Sequence, residues 1–175
     1  MFLNPNQNVA QLGLTEGMVV ADFGAGSGAY SKASSLLVGN SGKVYAIEVQ
    51  KDLVKKLESE LKYWSGSNIE CIWGDIEKLR GTKIADRSID VVIVANVLFQ
   101  VPDKLGLIDE ARRILKKNGK VLLVEGSASL GGIGPDPSRS IDKKQAEELF
   151  TKRGFKLLEN ISTNDYHYGI IFIHE

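Results

Sequence analysis

A short apolar run that ends in an acidic residue and three alternating glycines constrains the fold of this chain more than any other segment. The run reads Val-Val-Ala-Asp-Phe-Gly-Ala-Gly-Ser-Gly over residues 19–28. A buried parallel strand is apolar almost throughout, and glycines directly after it permit a tight turn in which bare backbone lies against a ligand. The pattern therefore predicts a strand, a turn and a helix that together bind a nucleoside-type cofactor.

The rest of the chain alternates between strand-like and helix-like segments. Predicted strands cover residues 18–23, 43–49, 68–73, 89–95 and 120–124, and predicted helices cover 29–38, 52–64, 104–117 and 142–153, with Asn118-Gly119 as a C-cap. Two more strand-like segments, 155–162 and 168–173, flank the turn residues Asn164-Asp165. This order predicts an α/β fold: a doubly wound, Rossmann-like, seven-stranded and mostly parallel sheet with an antiparallel C-terminal hairpin, in three layers α/β/α.

Composition and charge exclude several kinds of function. The chain has 22 Lys and Arg against 22 Asp and Glu, so no net charge attracts it to nucleic acid or to an anionic membrane. Its one cysteine, Cys71, excludes an intrachain disulfide, is too few for a cysteine-based zinc site and fits a reducing compartment. No apolar run approaches the ~20 residues of a membrane span, and residues 1–8 lack the pattern of a targeting signal. We expect a cytoplasmic protein with one domain over residues 1–175 and no metal ion.

Four segments beyond the first turn complete a resemblance to the class I S-adenosylmethionine-dependent methyltransferases. The glycine signature of that family stands at residues 22–28, its acidic residue at the end of the second strand is Glu48, and its acidic residue after the third strand is Asp75. Residues 90–96 and the segment 115–120 are also typical of the family. The resemblance implies S-adenosylmethionine as the cofactor and methyl transfer as the activity. Within the family the chain looks most like the small-molecule methyltransferases of quinone biosynthesis, which implies a small-molecule acceptor.

The resemblance assigns roles to residues at the ends of the predicted strands. The glycine loop would place backbone amides against the methionine end of the cofactor. Asp22 would compensate the charge of the ammonium and sulfonium groups, Glu48 would accept both ribose hydroxyls, and Asp75 would accept the adenine amino group between Val49 and Ile76. The predicted cofactor-binding residues are Asp22, Gly24, Ala25, Gly26, Gly28, Tyr30, Glu48, Val49, Asp75, Ile76 and Asn96.

Several of these residues also have an ordinary structural interpretation. Asp22 and Asp75 are of a type that caps turns. A buried carboxylate at Glu48 costs free energy unless it has a partner, which favours the ribose as that partner. Asn96 could contact the methionine end or the substrate, or could be a loop residue. Tyr30 could offer its ring to the sulfonium or simply pack in its helix.

No residue is predicted to be the catalytic base. Displacement at a sulfonium requires mainly alignment and exclusion of water, and a base only where the nucleophile must lose a proton. We predict that His167 and His174 are structural and that Cys71 is a small core residue. Cover for the substrate would come from the N-terminus and from the loops at 97–104 and 126–141.

Two other functions fit part of the pattern. Gly24, Gly26 and Ala29 can be matched to the dinucleotide-binding pattern Gly-x-Gly-x-x-Gly/Ala, with Glu48 about 20 residues further on, so an NAD(P)-binding oxidoreductase is an alternative. Asp22 would then have no role. The third hypothesis is a cofactor-binding module without activity.

Overall fold

The computed structural model describes residues 3–64, 68–127 and 140–175, so most of the predicted cover at 126–141 lies outside the described residues. Its helices and strands, in chain order, are α1 (Pro5–Ala10), β1 (Val19–Phe23), α2 (Ala29–Val38), β2 (Lys43–Glu48), α3 (Lys51–Leu61), β3 (Ile69–Trp73), β4 (Ile89–Ala95), α4 (Lys104–Ile114), β5 (Leu115–Gly126), α5 (Lys143–Thr151), β6 (Phe155–Ile161) and β7 (His167–His174).

The seven strands of this order form one sheet, β3-β2-β1-β4-β5-β7-β6. The first five strands pair in parallel, and β7 pairs antiparallel with both β5 and β6. The chain moves outward from β1 in one direction and from β4 in the other, so the carboxyl ends of β1 and β4 lie side by side where the strand order reverses. In open α/β sheets this is the place where ligands bind. The predicted doubly wound sheet with its antiparallel C-terminal hairpin is confirmed.

Successive residues of each central strand face two different apolar layers. Val20 and Ile93 pack on one face with residues of α1 and α2. Ala21 and Val94 pack on the other face with residues of α4 and α5. Helices on both faces of the sheet give the predicted α/β/α layers. Among the described residues, no helix has both the length and the apolar character that crossing a membrane requires.

Helix α1 is absent from the sequence prediction. The side-chain oxygen of Asn4 accepts a hydrogen bond from the Gln7 amide at 3.2 Å, and Pro5 occupies the first helical position, so two ordinary start signals are present. The helix has only 6 residues, too few for an apolar period to be visible. Its inner residue Val9 is buried against the sheet layer that also holds α2.

Helix α4 ends at Ile114, three residues before the predicted end at residue 117. The next residue, Leu115, takes an extended conformation and pairs with Ile89 of β4, so the predicted C-cap at Asn118-Gly119 is wrong. Leu115 is 1% exposed, and its burial in the sheet outweighs the helix propensity of the lysines that follow. Asn118 instead lies within β5 in a left-handed backbone conformation, with a φ of 62°.

Candidate active site

The three glycines after β1 serve different purposes. Their φ angles are 70°, 52° and 73° for Gly24, Gly26 and Gly28, a conformation that favours glycine. A Cβ at Gly24 would lie 2.6 Å from a methyl carbon of Val97, and one at Gly28 would lie 2.5 Å from a methyl carbon of Leu57. A Cβ at Gly26 would meet no atom closer than 3.9 Å. Gly24 and Gly28 therefore permit close packing, whereas Gly26 leaves space open beside the loop.

The amides of this loop are largely engaged within the protein. Those of Gly24 and Ala25 both donate to the carbonyl oxygen of Ile47 at 2.9 Å, and that of Gly28 donates to the Ala25 oxygen at 2.7 Å. These three amides already have partners within the protein, and the expectation that the loop amides meet the methionine end of a cofactor stays a prediction. The loop presents bare glycine surface, held in place by its own hydrogen bonds to β2.

Glu48 is a buried carboxylate at the end of β2, 7% exposed. Its Oε1 accepts hydrogen bonds from the amides of Val49 and Gln50 at 2.9 and 3.0 Å, and its Oε2 accepts one from the Gly26 amide at 3.2 Å. The protein itself therefore supplies the partners that the sequence assigned to a ribose. A carboxylate has roughly four acceptor positions, so Oε2 keeps room for one further hydroxyl donor.

Asp22 is the second buried carboxylate, 2% exposed at the end of β1. It accepts a hydrogen bond from the Ser31 hydroxyl at 2.6 Å. Burial raises the pKa of Asp22 to about 6, which the bonds from Ser31 partly oppose and the nearby charge of Glu48 reinforces. Asp22 is thus an acid whose ionised form a cation would stabilise.

A cavity of about 390 Å³, here called the Glu48 cavity, lies at the carboxyl ends of β2, β3 and β4. Ile76 and the half-exposed Val49 contribute apolar surface to it. Asp75 forms a turn in which its Oδ1 accepts from the Glu77 amide at 3.0 Å, while its Oδ2 pairs with Lys78 at 3.2 Å near the surface. The predicted residues that border this cavity are Gly24, Gly26, Glu48, Val49, Asp75, Ile76 and Asn96.

A second cavity of about 430 Å³, here called the Asp22 cavity, lies over β1 and the start of α2. Tyr30 lines the cavity and also packs in the core, where its hydroxyl accepts from Asn8 Nδ2 at 2.7 Å. The predicted residues that border this cavity are Asp22, Gly24, Ala25, Gly26, Tyr30 and Asn96, and the residues that the sequence did not assign to the site include Leu3, Pro5 and His167.

The two cavities adjoin each other at the switch point of the sheet. Both are lined by Gly24, Gly26, Ala95 and Asn96. Asn96 has a φ of 55°, so the chain turns sharply as it leaves β4. Gly28 borders neither cavity, and its place under Leu57 makes it a packing residue.

A family of methyltransferase domains matches residues 14–165 of the chain. The chain belongs to this family. The arsenite methyltransferase of Homo sapiens is 36% identical over 117 residues, which cover 63% of this chain and 31% of that protein. The demethylmenaquinone methyltransferase of Lactococcus lactis is 29% identical over 155 residues, 89% of this chain and 57% of that protein. The crystal structure of an S-adenosylmethionine-dependent methyltransferase from Aquifex aeolicus has the same fold, with a TM-score of 0.90 and 23% identity over 99% of this chain and 90% of that one.

These findings confirm the resemblance read from the sequence and disfavour the oxidoreductase alternative. The chain spans between 31% and 57% of the length of the two curated relatives named above. The names of these two relatives refer to arsenite and to demethylmenaquinone, which are small molecules. The cofactor that the family implies is S-adenosylmethionine.

The residues that line the two cavities fit this cofactor. The acid with the raised pKa, Asp22, borders the cavity that would take a cationic amino-acid end. The cavity with apolar walls holds Glu48, which keeps an acceptor position for a hydroxyl. Gly26 borders both cavities, and a Cβ there would meet no protein atom closer than 3.9 Å. The described residues contain no group of three or more His, Cys, Asp or Glu side chains placed to hold a metal ion.

The sequence did not assign Glu125 to the candidate site. This carboxylate is 1% exposed at the end of β5, and its Oε1 accepts from the amides of Val97 and Leu98 at 2.9 and 2.6 Å. Burial raises the pKa of Glu125 to about 7, although these hydrogen bonds act to lower it. It holds the loop after β4, which lines the Glu48 cavity. The sequence does contain a signal for Glu125: this acidic residue follows the apolar run 121–124, just as Asp22 follows the apolar run 19–21.

A third cavity, of about 640 Å³, lies between the start of α4 and α5. It shares Gln100, Val101 and Pro102 with the Glu48 cavity but borders none of the loop glycines. Although this cavity is larger than the other two, neither Asp22 nor Glu48 lines it, so it is not the candidate site.

Proposed function

We propose that this methyltransferase domain transfers a methyl group from S-adenosylmethionine to a small-molecule acceptor. The observation that carries the proposal is the meeting of two cavities at the glycine loop, with a buried carboxylate in each. A ligand with a ribose at one end and a cationic amino acid at the other requires this arrangement. Neither cavity alone offers both acids.

The Glu48 cavity would hold the adenosine. Oε2 of Glu48 would accept a hydrogen bond from a ribose hydroxyl, and Asp75 would accept one from the adenine amino group. Val49 and Ile76 would contact the two sides of the ring. The placement of these four residues around one cavity supports this assignment.

The Asp22 cavity would hold the methionine end. Asp22 would stabilise its positive charge, and Gly26 would leave the space that the ligand backbone needs. Tyr30 would present its ring to the sulfonium, an attraction of about 0.5–2 kcal/mol. Asn96 stands where the two cavities adjoin and would contact the ligand at its bend.

When bound, S-adenosylmethionine supplies a methyl group on a sulfonium, which already carries its leaving group. The protein then has to align an acceptor with that methyl group and exclude water, which can contribute on the order of 7–11 kcal/mol. Leu3 and Pro5 border the Asp22 cavity from the N-terminal side, and Val101 and Pro102 border the Glu48 cavity. These apolar residues are suited to exclude water from the two ends of the site.

The chemistry of the described site favours an organic acceptor over arsenite. Arsenic(III) is a soft ion, for which thiolates are suitable protein ligands. The one cysteine of the chain, Cys71, lies half-buried on β3 and borders neither cavity. Burial also raises the pKa of the Cys71 thiol to about 11, so the thiolate is disfavoured there. A small organic acceptor, as in the quinone-modifying relative, is the better match.

Titration calorimetry tests the cofactor assignment. S-adenosylhomocysteine and S-adenosylmethionine should both bind with one site per chain, while NAD and NADP should not bind. Binding of NAD with no affinity for S-adenosylhomocysteine would overturn the proposal. A screen of phenolic, amine and thiol acceptors for formation of S-adenosylhomocysteine then separates a methyltransferase from a binding module without activity.

Two further expectations stay proposals. A lone cysteine without a disulfide supports a reducing compartment, so we propose a cytoplasmic location. We also propose that residues 1–175 fold as one domain, which is supported by the continuous sheet from β3 to β6.

A further inference from the structure

His167 borders the proposed methyl-transfer site, although its sequence position suggested a structural role. It is the first residue of β7 and pairs with Gly126 at the carboxyl end of β5. Its side chain is half-buried and lines the Asp22 cavity together with Tyr30 and Asn96. The N-terminal residues Leu3 and Pro5 are far from His167 in sequence, but they border the same cavity.

The hydrogen bonds around His167 determine which ring nitrogen carries its proton. The Tyr166 amide donates to Oδ1 of Asn164 at 3.0 Å, which identifies that atom as the amide oxygen. The same Oδ1 lies 2.8 Å from Nδ1 of His167. Because an amide oxygen only accepts, Nδ1 must be the donor. In the neutral ring Nε2 then carries the lone pair and is the basic nitrogen.

Two further features keep this ring in place and neutral. The Thr163 hydroxyl donates to the carbonyl oxygen of His167 at 2.5 Å and fixes the backbone at the start of β7. Burial lowers the pKa of His167 below its ordinary value, so the imidazole is uncharged near neutral pH. A neutral and oriented imidazole is suited to accept a proton.

The other described titratable groups that line the Asp22 cavity are less suited to this task. Asp22 accepts a hydrogen bond from Ser31 and is required for the cationic end of the cofactor. Burial raises the pKa of Tyr30 to about 12, so its hydroxyl stays protonated. On the neighbouring strand, Glu125 pairs in register with Tyr168, whereas His167 pairs with Gly126. The side chain of Glu125 therefore lies on the face of the sheet opposite to that of His167.

We propose that Nε2 of His167 is the general base of the methyl transfer and that the acceptor is a small molecule with a weakly acidic hydroxyl group, such as a phenol. This inference rests on the proposed function and deepens it. The hydroxyl proton passes to Nε2 while the acceptor oxygen forms its bond to the methyl carbon, and the electron pair of the broken carbon–sulfur bond stays on the sulfur. The positive charge thereby moves from the sulfonium to the imidazolium, and the thioether that results is neutral.

An NMR titration of the imidazole C–H resonances tests the placement of His167 without any acceptor. The chain has 2 histidines, and the other, His174, lies beside Phe155 at the far end of β7, about 20 Å away along the strand. The variant His174→Gln assigns the two resonances. The pKa of His167 is then measured in the complexes with S-adenosylhomocysteine and with S-adenosylmethionine, which differ by the methyl group and its positive charge.

A ring that faces the transferred methyl group experiences the sulfonium charge. The pKa of His167 should therefore be lower with S-adenosylmethionine than with S-adenosylhomocysteine, by about one unit or more, while the pKa of His174 stays the same in both. Equal values for His167 in the two complexes would overturn this inference and leave the proposed function intact. Failure of S-adenosylhomocysteine to bind in calorimetry would overturn both.

Discussion

The Gly26 amide donates a hydrogen bond to Oε2 of Glu48 with 3.2 Å between nitrogen and oxygen, and the two residues are 22 positions apart in the chain. This bond ties the glycine loop after β1 to the end of β2. The other carboxylate oxygen is fixed by the Val49 and Gln50 amides. The acid proposed to bind the ribose and the loop proposed to face the methionine end are therefore one preorganised unit, which lowers the cost of ordering them on binding.

Replacement of Glu48 should weaken cofactor binding. Glu48→Ala removes the ribose acceptor and leaves three amides without their partner, so the affinity for S-adenosylhomocysteine should fall by about 1–3 kcal/mol in calorimetry. Glu70→Ala, which removes an exposed carboxylate from the adjacent strand β3, is the matched control and should bind like the parent. If the Glu48 variant keeps both its thermal stability and the parent affinity, the ribose role is wrong.

Alanine at Gly26 should separate the binding role of this glycine from its backbone strain. Gly13 offers a matched position, because its φ is 69° and a Cβ there would meet no atom within 4 Å, while one at Gly26 would meet none closer than 3.9 Å. Gly13→Ala and Gly26→Ala should each cost about 1–2 kcal/mol of stability. Only Gly26→Ala should also reduce affinity for S-adenosylhomocysteine, by tenfold or more, since only that Cβ would enter the space between the two cavities. Equal affinities for the two variants would contradict the assignment.

The order of elements and the grouping of most candidate site residues could be predicted because both depend on local patterns. Apolar runs followed by acidic residues at Asp22 and Glu48 mark the ends of adjacent parallel strands, and the carboxyl ends of such strands meet at one edge of the sheet. The sequence therefore placed these acids correctly without knowledge of any pairing. Ten of the eleven predicted residues border one of the two cavities, and Gly28 is the exception.

Residues whose position depends on long-range register could not be predicted in the same way. His167 reaches the site because β7 pairs with β5 antiparallel in a register that matches it to Gly126, and no pattern within the hairpin specifies that register. A shift of one residue would turn His167 to the other face. The early end of α4 has a similar origin, because Leu115 leaves the helix to pair with Ile89.

The affinity for S-adenosylhomocysteine should depend on pH through Asp22. Burial raises the pKa of Asp22 to about 6 in the free protein, and the ammonium group of the ligand favours the ionised form. Affinity should therefore be full above about pH 6 and fall as the pH decreases below it. Calorimetry between about pH 5 and 7 should show this slope.

Asp22→Asn is the control, because an amide does not titrate. Its affinity should be lower than that of the parent above pH 6 and should lack the slope. The raised pKa also means that the folded protein holds this proton more tightly than the unfolded chain, so the contribution of Asp22 to stability falls as the pH rises from about 4 to 6. Parallel pH profiles of affinity for the parent and the variant would contradict the placement of the ligand amine at Asp22.

Arg113 of α4 secures the loop between β3 and β4, which carries Asp75. Its guanidinium donates to both oxygens of Glu110, at 2.8 and 2.7 Å, and Glu110 is fully buried. Glu110 also accepts from the Thr82 hydroxyl at 2.5 Å and from the Arg80 amide at 2.8 Å. Burial alone would raise the pKa of Glu110, but the hydrogen bonds from Arg113, Thr82 and Arg80 outweigh it and lower the pKa.

Arg113→Ala should therefore leave a buried carboxylate without its cation and reduce the free energy of unfolding by about 3–5 kcal/mol in urea titrations. Arg112→Ala is the matched control, because Arg112 is the exposed neighbour on the same helix turn, and it should change stability by less than about 1 kcal/mol. Since the loop also positions Asp75 and Ile76, the Arg113 variant should bind S-adenosylhomocysteine more weakly under conditions where it is still folded. If Arg113→Ala were as stable as Arg112→Ala, the loop would instead be held by backbone packing. Gly81 contributes to that packing, because a Cβ there would lie 2.1 Å from the backbone oxygen of Asp75.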